Sequence, residues 1–304
     1  VIDEEARAGI AAHIQAARAE GRLMHEIKTP NCGTFIAPTL LRVDGIAEMT
    51  REIFGPVLHV ATFTADELDG VIDAINAPGY GLTFRLMTRI DDRVQHVSER
   101  IMAGNIYINR NQIGAIVGSQ PFGGEGLSGT GPKAGGPNYM TRFLRHDAPR
   151  ASTSWGNPTT INLARSLADA PPGEAAKDTL LPGPTGESNR LSTHPRAPLL
   201  CLGPGQAAAQ AQGDAITALG GQAIVLDGDL DAAQLSQVTG FAGAVWWGDD
   251  ATARAYTTAL AKREGPILPL ITGLPDLGHA CQERHVCVDT TAAGGNAALL
   301  GGAS

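Results

Sequence analysis

The sequence is poor in cysteine and in aromatic residues, and it has no long hydrophobic run. Aromatic residues make up 5% of the chain, and the four cysteines are widely separated, at Cys32, Cys201, Cys281 and Cys287. Such scattered cysteines in 304 residues argue against a disulfide framework and favour a reducing cytoplasm. No window approaches the run of about 18 apolar residues that a membrane-spanning helix needs.

The N-terminus also lacks familiar signals. Residues 1–15, VIDEEARAGIAAHIQ, have neither the basic start nor the apolar centre of a signal peptide, and they do not begin with Met. We therefore expect this chain to be cut from a longer polypeptide.

Positive charge is scarce as well. The net charge is −8, with 15 basic and 17 acidic residues in 1–150 and with 8 and 14 in 151–304. Neither half offers a basic face, so nucleic acid is not an expected partner. The length fits roughly two domains.

Hydrophobic periodicity in the first 110 residues predicts an α/β fold. Helices are indicated at 3–20, 64–76 and 91–103, and extended segments at 33–43, 56–63, 82–88 and 105–110. In the first helix Ile10, Ile14 and Ala17 share a face, and Thr64 with Glu67 forms a capping box before the second. Strands that alternate with helices favour a parallel sheet with both faces covered.

The composition changes in the second half. Residues 146–197 are rich in Pro, Ser, Thr, Gly and Asn and are predicted to form a linker or irregular arm. From residue 198 strands and helices alternate again, with strands indicated at 198–203, 222–228, 242–249 and 266–273. We therefore predict three domains, 1–145, 146–197 and 198–304. Met102, Trp246 and Trp247 are predicted core residues.

Glu52 and Phe54 stand out in the segment REIFGPVLHV, residues 51–60. A carboxylate there is suited to accept hydrogen bonds from sugar hydroxyls while the ring packs on a flat heterocycle. The alternative is an ordinary glutamate at a helix end that faces water.

The stretch from Gly104 to Pro137 is rich in glycine and follows a predicted strand. Such a backbone can offer free N–H groups to an anion, although a purely structural loop is equally compatible with the composition. The glycines do not have the G-x-G-x-x-G spacing of a dinucleotide-binding turn. Ser128 is not a nucleophile elbow, because Thr130 stands where that motif has glycine.

Two other patterns predict little. Cys281, His285 and Cys287 have no fourth partner for zinc, so we expect no metal and interpret the cysteines as buried strand residues. The segment CLGPGQAAA (201–209) resembles a nucleotide loop only loosely, because Pro204 interrupts it.

Three segments together carry a family resemblance. EIFGPVLHV (52–60), GNIYINR (104–110) and PFGGEGLSGTG (121–131) resemble the aldehyde dehydrogenase superfamily. Residues 104–137 are similar to its L-glutamate γ-semialdehyde (Δ1-pyrroline-5-carboxylate) dehydrogenase branch, in the bifunctional form that bacteria fuse to proline dehydrogenase for proline utilisation. LLPGPTGESN (180–189) and ERHVCVDTTAAGGNAAL (283–299) resemble the C-terminal region of those fusion proteins.

The resemblance implies an architecture. Residues 1–145 would be the C-terminal part of the catalytic domain, a parallel sheet with helices. A β-flap after Gly136 would pair protomers into a homodimer. Residues 198–304 would be a smaller, degenerate Rossmann-like domain whose tail motif, TAAGGNA (291–297), helps close the site and the tunnel between the two activities.

The resemblance also implies ligand-binding residues. Glu52 would hold the nicotinamide-ribose hydroxyls of NAD, and Phe54 would lie beside the nicotinamide. The backbone N–H groups of Gly114 and Ala115 would bind the α-carboxylate of L-glutamate γ-semialdehyde. Phe122 would pack on the aliphatic chain of this substrate.

The resemblance implies no catalytic residue in this chain. In the family the nucleophilic cysteine, the general base and the oxyanion-hole Asn precede the segment that matches residue 1, and no catalytic cysteine stands where Cys32 does. FAD would belong to the absent proline dehydrogenase domain, which together with the NAD-binding domain lies upstream. The parent would be cytoplasmic, with peripheral membrane association to reduce quinone. Alone, the chain is expected to be inactive.

Two other functions remain open. The chain can be a stand-alone, non-catalytic module that dimerises or caps a partner, because it lacks a nucleophile and keeps the flap. It can also come from an NAD-dependent aldehyde dehydrogenase with another substrate, although a neutral aldehyde has no need of carboxylate-binding N–H groups.

Overall fold

A computed structural model describes residues 1–30, 32–144, 147–151, 155, 163–168, 173 and 177–291. Much of the predicted arm and all but the first residue of the predicted tail motif lie outside the described residues. The chain divides into two compact units, Val1–Pro78 and Gly79–Ser304. In the described ranges no helix has the length and apolar character needed to cross a membrane.

The first unit is a small three-stranded sheet with two helices. Its elements are α1 (Glu4–Ala19), β1 (Leu23–Glu26), β2 (Thr39–Arg42), β3 (Val57–Val60) and α2 (Leu68–Asn76). Strand β2 pairs with β1 in antiparallel and with β3 in parallel orientation.

Both predicted helix signals of this unit are confirmed. Ile10, Ile14 and Ala17 of α1 are buried, as the periodicity predicts. Thr64 and Glu67 form the capping box, which begins a short 3-10 turn that leads into α2.

The second unit contains the remaining strands and helices. Its strands are β4 (Tyr80–Gly81), β5 (Thr83–Leu86), β6 (Asn105–Ile108), β7 (Glu125–Gly126), β8 (Lys177–Leu181), β9 (Glu187–Pro195), β10 (Leu199–Cys201), β11 (Ala223–Val225), β12 (Gly243–Val245), β13 (Leu270–Ile271) and β14 (Cys281–Asp289). Its helices are α3 (Asp91–Arg100), α4 (Leu163–Ala168), α5 (Gly205–Ala218), α6 (Ala232–Gln237), α7 (Asp250–Ala261) and α8 (Leu277–Ala280).

A five-stranded mixed sheet has the order β5-β6-β14-β9-β8. Strand β6 is buried along its whole length and lies parallel to β5 on one side and to β14 on the other. Strands β14 and β9 are antiparallel over nine residue pairs. The last described strand of the chain therefore completes a sheet that begins nearly 200 residues earlier.

A four-stranded parallel sheet has the order β11-β10-β12-β13, and the predicted strands and helices after residue 198 are confirmed. One face carries Leu200 and Trp246, and the other carries Cys201 and Trp247. Both faces are buried, which is usual for parallel strands. An α/β fold class is thus confirmed, whereas the three domain boundaries stay a prediction.

Two sequence-based expectations are wrong. The arm predicted as irregular contains the hairpin β8–β9, whose first strand is mostly exposed and so shows no alternation of apolar and polar residues. Met102 is 60% exposed, because the preceding Ile101 takes the buried position after α3.

We predict that Gly104→Ala destabilises the second unit by about 1–3 kcal/mol. A Cβ atom at Gly104 would lie 2.1 Å from the Gly123 carbonyl oxygen and 2.9 Å from the Gly124 Cα. The control is Gly9→Ala in α1, where a Cβ meets nothing within 4 Å; it should be neutral or stabilise by about 0.5–1 kcal/mol. Urea unfolding followed by circular dichroism measures both, and equal effects would contradict the close approach at Gly104.

Candidate functional site

The glycine-rich loop, residues 109–137, leaves the carboxyl end of β6 through a sharp turn. Asn109 has a φ of 59°, the left-handed conformation that Asn tolerates better than most residues. Its N–H donates to the Leu86 carbonyl at 2.8 Å, and its Oδ1 accepts from the Thr88 N–H at 2.9 Å. The turn is thus anchored to β5 and to the residues after it.

Asn105 closes the base of the loop from the buried strand β6. Its Nδ2 donates to the Pro121 carbonyl at 2.8 Å, and its Oδ1 accepts from the Gly123 N–H at 3.1 Å. Phe122, between them, exchanges backbone hydrogen bonds with Ala134 at 2.9 and 2.8 Å. Two chain segments are thereby held together directly beside β6.

Lys133 is a buried cation at this base. Its Nζ donates to Asn105 Oδ1 at 3.1 Å and to the Gly123 carbonyl. Its backbone N–H donates to the Glu283 carboxylate of β14 at 2.6 Å. The same carboxylate accepts from Asn138 Nδ2 at 2.6 Å. Burial lowers the Lys133 pKa to about 8, although Glu283 opposes the shift.

A second polar group ties the middle of the loop to the sheet. Arg110 contacts the Glu187 carboxylate and lies 3.1 Å from Cys287 Sγ. Gln120 Nε2 donates to Glu187 at 2.8 Å. Burial raises the pKa of Cys287 to about 11, even though Arg110 favours the thiolate, so the thiol stays protonated at neutral pH.

The tip of the loop is free of this network. Ile113 and Val117 are 83% and 85% exposed, and Gly114 has a φ of 79°. Among the described residues, neither the Gly114 nor the Ala115 N–H donates a hydrogen bond. The tip therefore presents two unengaged donors beside exposed apolar side chains, an arrangement suited to an anion with an aliphatic part.

Glu52 and Phe54 belong to the first unit, in the turn before β3. Gly55 lies so close to Ile10 of α1 that a Cβ there would be 2.5 Å from its Cδ1 atom. The Pro56 carbonyl accepts from the Thr39 N–H at 2.9 Å. This backbone is held in place, while the Glu52 side chain is exposed and Phe54 is 86% exposed.

The structure thus brings Gly114, Ala115 and Phe122 into one loop of the second unit. Glu52 and Phe54 form a separate pair in the first unit, and Glu52 lies outside any helix. The ligand-binding roles of these five residues stay a prediction.

None of the four cysteines, all in the described ranges, forms a disulfide; Cys32 is exposed and the other three are buried, as expected for Cys281 and Cys287. Burial lowers the pKa of the nearby His285 to about 4. Throughout the described ranges, no three His, Cys, Asp or Glu side chains are grouped to hold a metal ion.

The loop after β10, part of CLGPGQAAA, is filled by the protein itself. The Gly203 N–H donates to Gln212 Oε1 at 3.0 Å, and Gln212 Nε2 donates back to the Gly203 carbonyl at 2.7 Å. Trp155 donates to the Leu202 carbonyl at 3.2 Å. Gln212 thus occupies the Gly203 N–H, a donor that a nucleotide phosphate would need.

Sequence reasoning missed the side chains that hold the loop, chiefly Asn105, Arg110, Gln120 and Lys133. Glu187 and Glu283, the partners of Arg110, Gln120 and Lys133, lie between 67 and 150 residues away, so no local spacing reveals them. A weak signal existed: Glu283 and His285 alternate with Cys281 and Cys287, so two polar side chains fall on a buried face of β14.

Residues 1–148 match the sequence pattern of the aldehyde dehydrogenase family. This part of the chain belongs to that family. The aldehyde dehydrogenase segment is 43% identical over 148 residues to 1-pyrroline-5-carboxylate dehydrogenase 1 of Halalkalibacterium halodurans, covering 48% of this chain and 28% of that protein.

The whole chain has longer relatives. It is 38% identical over 362 aligned residues to the bifunctional protein PutA of Salmonella typhimurium, which covers 99% of this chain. It spans only 27% of the length of that protein. The structure of proline utilisation A from Corynebacterium freiburgense superposes with a TM-score of 0.58 at 24% identity, over 88% of this chain and 29% of that one, and shows the same fold.

We predict that Lys133→Met removes a pH dependence of stability. The folded pKa of Lys133, about 8, lies below its ordinary 10.5. Between these values the unfolded chain binds more protons than the folded one, so stability should rise with pH in this window. Relative to the variant, the free energy of unfolding of the wild type should rise by about 2 kcal/mol from pH 7.5 to 10.

Urea unfolding at both pH values measures this difference, because other titrating groups cancel between the two proteins. Lys262→Met is the matched control, since Lys262 is exposed after α7. A Lys133 variant with the pH dependence of the wild type would show that the buried ammonium is not destabilising.

Proposed function

We propose that this chain is part of an NAD-dependent enzyme that oxidises L-glutamate γ-semialdehyde to L-glutamate, the second step from proline to glutamate. The pyrroline-5-carboxylate dehydrogenase and PutA relatives support this reaction. The observation that carries the proposal is the loop tip, where Gly114 adopts a left-handed conformation. Among the described residues, the N–H groups of Gly114 and Ala115 donate to no acceptor.

The substrate side of the proposal rests on charge and shape. The Gly114 and Ala115 N–H groups would hold the α-carboxylate, because oriented backbone donors bind anions without adding a counter-charge. Phe122 is half-buried, and its backbone is held by Ala134, so its ring would pack on the aliphatic chain. A neutral aldehyde would leave the two donors without a partner.

The cofactor side rests on Glu52 and Phe54. An exposed carboxylate accepts hydrogen bonds from a ribose diol, and an exposed ring packs on a flat heterocycle. NAD⁺, when bound, would accept the hydride of the aldehyde carbon. Glu52 and Phe54 would orient it, and they would take no part in bond breaking.

The nucleophile would come from outside these 304 residues. A thiolate must attack the aldehyde carbon, and the thioester left after hydride transfer is then hydrolysed to the acid. Burial raises the pKa of Cys201 to about 12 and that of Cys287 to about 11, so neither is such a thiolate. We propose that the chain alone is inactive.

The remaining parts would support the enzyme. Residues 1–145 would be the C-terminal part of the catalytic domain, 146–197 a flap that pairs two protomers, and 198–304 a degenerate domain that seals a tunnel. A FAD-dependent proline dehydrogenase domain and the NAD-binding domain would lie upstream in the same cytoplasmic polypeptide, with peripheral membrane contact for quinone reduction.

We predict that Gly114→Val, in the complete polypeptide encoded by the gene, raises KM for glutamate semialdehyde at least about tenfold. Loss of charge-assisted hydrogen bonds to a carboxylate costs about 1.5–3 kcal/mol. KM for NAD⁺ should change less than about twofold. NADH formation at 340 nm measures both constants.

Gly118→Val is the matched control. Gly118 has a φ of 86° and an open Cβ position, like Gly114, but its N–H is bound to the Gly135 carbonyl at 3.2 Å. It carries the same backbone strain without a free donor. If the two variants raise KM for the semialdehyde equally, the carboxylate role of Gly114 is wrong.

We predict the reverse pattern for Glu52→Ala: KM for NAD⁺ should rise about tenfold, while KM for the semialdehyde stays within about twofold. Glu48→Ala is the control, because Glu48 is another exposed glutamate of the first unit. A Glu52 variant with wild-type NAD⁺ kinetics would refute the cofactor role.

The gene upstream of Val1 separates this function from a non-catalytic module. A coding region with a cysteine-bearing active-site strand and a flavin domain supports the enzyme. An in-frame start codon near Val1, with inactive protein and stable dimers, supports the module instead.

A further inference from the structure

The second unit contains a cavity of about 630 Å³ that no proposed role uses. Its walls come from the turn after β7, from the residues around Arg142 and Arg196, from the segments that lead into β12 and β13, and from α8. Its volume lies within the range of small-molecule sites. Gly114, Ala115 and Phe122 do not line it.

The polar lining is positive. Arg142 and Arg196 both face the cavity, and none of its sixteen lining residues, all in the described part of the chain, is Asp or Glu. Burial lowers the pKa of Arg196, and the nearby Arg142 guanidinium lowers it further. A ligand with a negative group would relieve this repulsion.

Arg196 is held in place by the cavity walls. Its Nε donates to the carbonyls of Gly278 and Cys281, each at 3.1 Å. Its Nη2 donates to the Thr130 carbonyl at 2.9 Å. All three partners are neutral carbonyls, so these bonds orient the guanidinium without forming an ion pair. Glu125 and Glu283 lie near enough to favour its charge, but neither lines the cavity.

Arg142 is oriented by a chain of side chains. His279 Nδ1 lies 2.8 Å from the Asp276 carboxylate, and its Nε2 lies 2.5 Å from Arg142 Nη1. An arginine can only donate, so the imidazole accepts at Nε2. His279 Nδ1 also lies 3.1 Å from the Asp276 backbone nitrogen, so the start of α8 holds the ring in place. Asp276 is also 3.6 Å from Arg142 Nε, which partly balances that guanidinium.

The rest of the lining is mainly apolar. Phe241 is buried, and Arg263 packs on its ring at 4.8 Å. The segment Pro266–Pro269 contributes Ile267, which is 79% exposed, and Leu268. A bound molecule would therefore meet two oriented cations at some positions and hydrocarbon at others.

We propose that this cavity binds a small organic anion with a carboxylate head and an apolar body, the head at Arg142 and Arg196 and the body on the apolar lining. Guanidinium groups match the planar carboxylate geometry. The apolar lining adds affinity that an inorganic anion cannot obtain. This site is independent of the proposed dehydrogenase reaction.

The probe is 4-phenylbutyrate, titrated into the full chain by ligand-observed NMR, with neutral 4-phenylbutanamide and inorganic phosphate as comparisons. Twelve heavy atoms at drug-like efficiency give an expected dissociation constant on the order of 1 mM. The amide and phosphate should each bind at least about tenfold more weakly.

Ile267→Asp and Ile267→Lys form a matched pair at an exposed position, so folding is not at risk. The Asp variant should weaken 4-phenylbutyrate binding about fivefold, and the Lys variant should preserve or strengthen it. Arg142→Gln should weaken it about tenfold. Arg254→Gln, an exposed arginine of α7 outside the cavity, should have no effect.

The proposal is overturned if binding does not saturate below about 20 mM, well above the expected constant. It is also overturned if the amide binds as well as the acid, or if Ile267→Asp and Ile267→Lys behave alike. Phosphate binding as tight as that of 4-phenylbutyrate would show that the apolar lining contributes nothing.

Discussion

The Asn105 side chain is the constraint on which the candidate site depends. It lies on a strand buried along its whole length and binds the Pro121 carbonyl, the Gly123 N–H and the Lys133 ammonium. A loop with so many glycines has a high conformational entropy, and a few buried hydrogen bonds at its base restrict it most effectively. At the tip, the Gly114 and Ala115 N–H groups donate no hydrogen bond to the residues that the structure describes.

Two opposite solutions for binding an anion are proposed for the second unit. The loop tip offers backbone donors without formal charge, while the cavity at Arg196 offers two cations held by carbonyls and by an imidazole. The Gly203 loop shows a third outcome, because Gln212 satisfies its backbone groups and leaves little for a phosphate. Glycine content alone therefore does not identify a ligand site.

Local periodicity was enough to predict α1, the Thr64 capping box, and the strands and helices after residue 198. A resemblance supplied Gly114 and Ala115, whose ligand-binding role stays a prediction. The polar contacts that hold the loop could not be predicted, because Lys133–Glu283 and Arg110–Glu187 join residues 150 and 77 positions apart. Such pairs depend on β14 lying beside β6, which no spacing in the sequence reveals.

The buried cysteines have a chemical consequence for a protein of this kind. An aldehyde is an electrophile, and any accessible thiolate would trap it as a thiohemiacetal. Cys201 and Cys287 are enclosed, and burial keeps both protonated at neutral pH. These parts of the fold are therefore inert toward the reactive compound that the loop tip is proposed to hold, so a dedicated nucleophile elsewhere meets no competition from them.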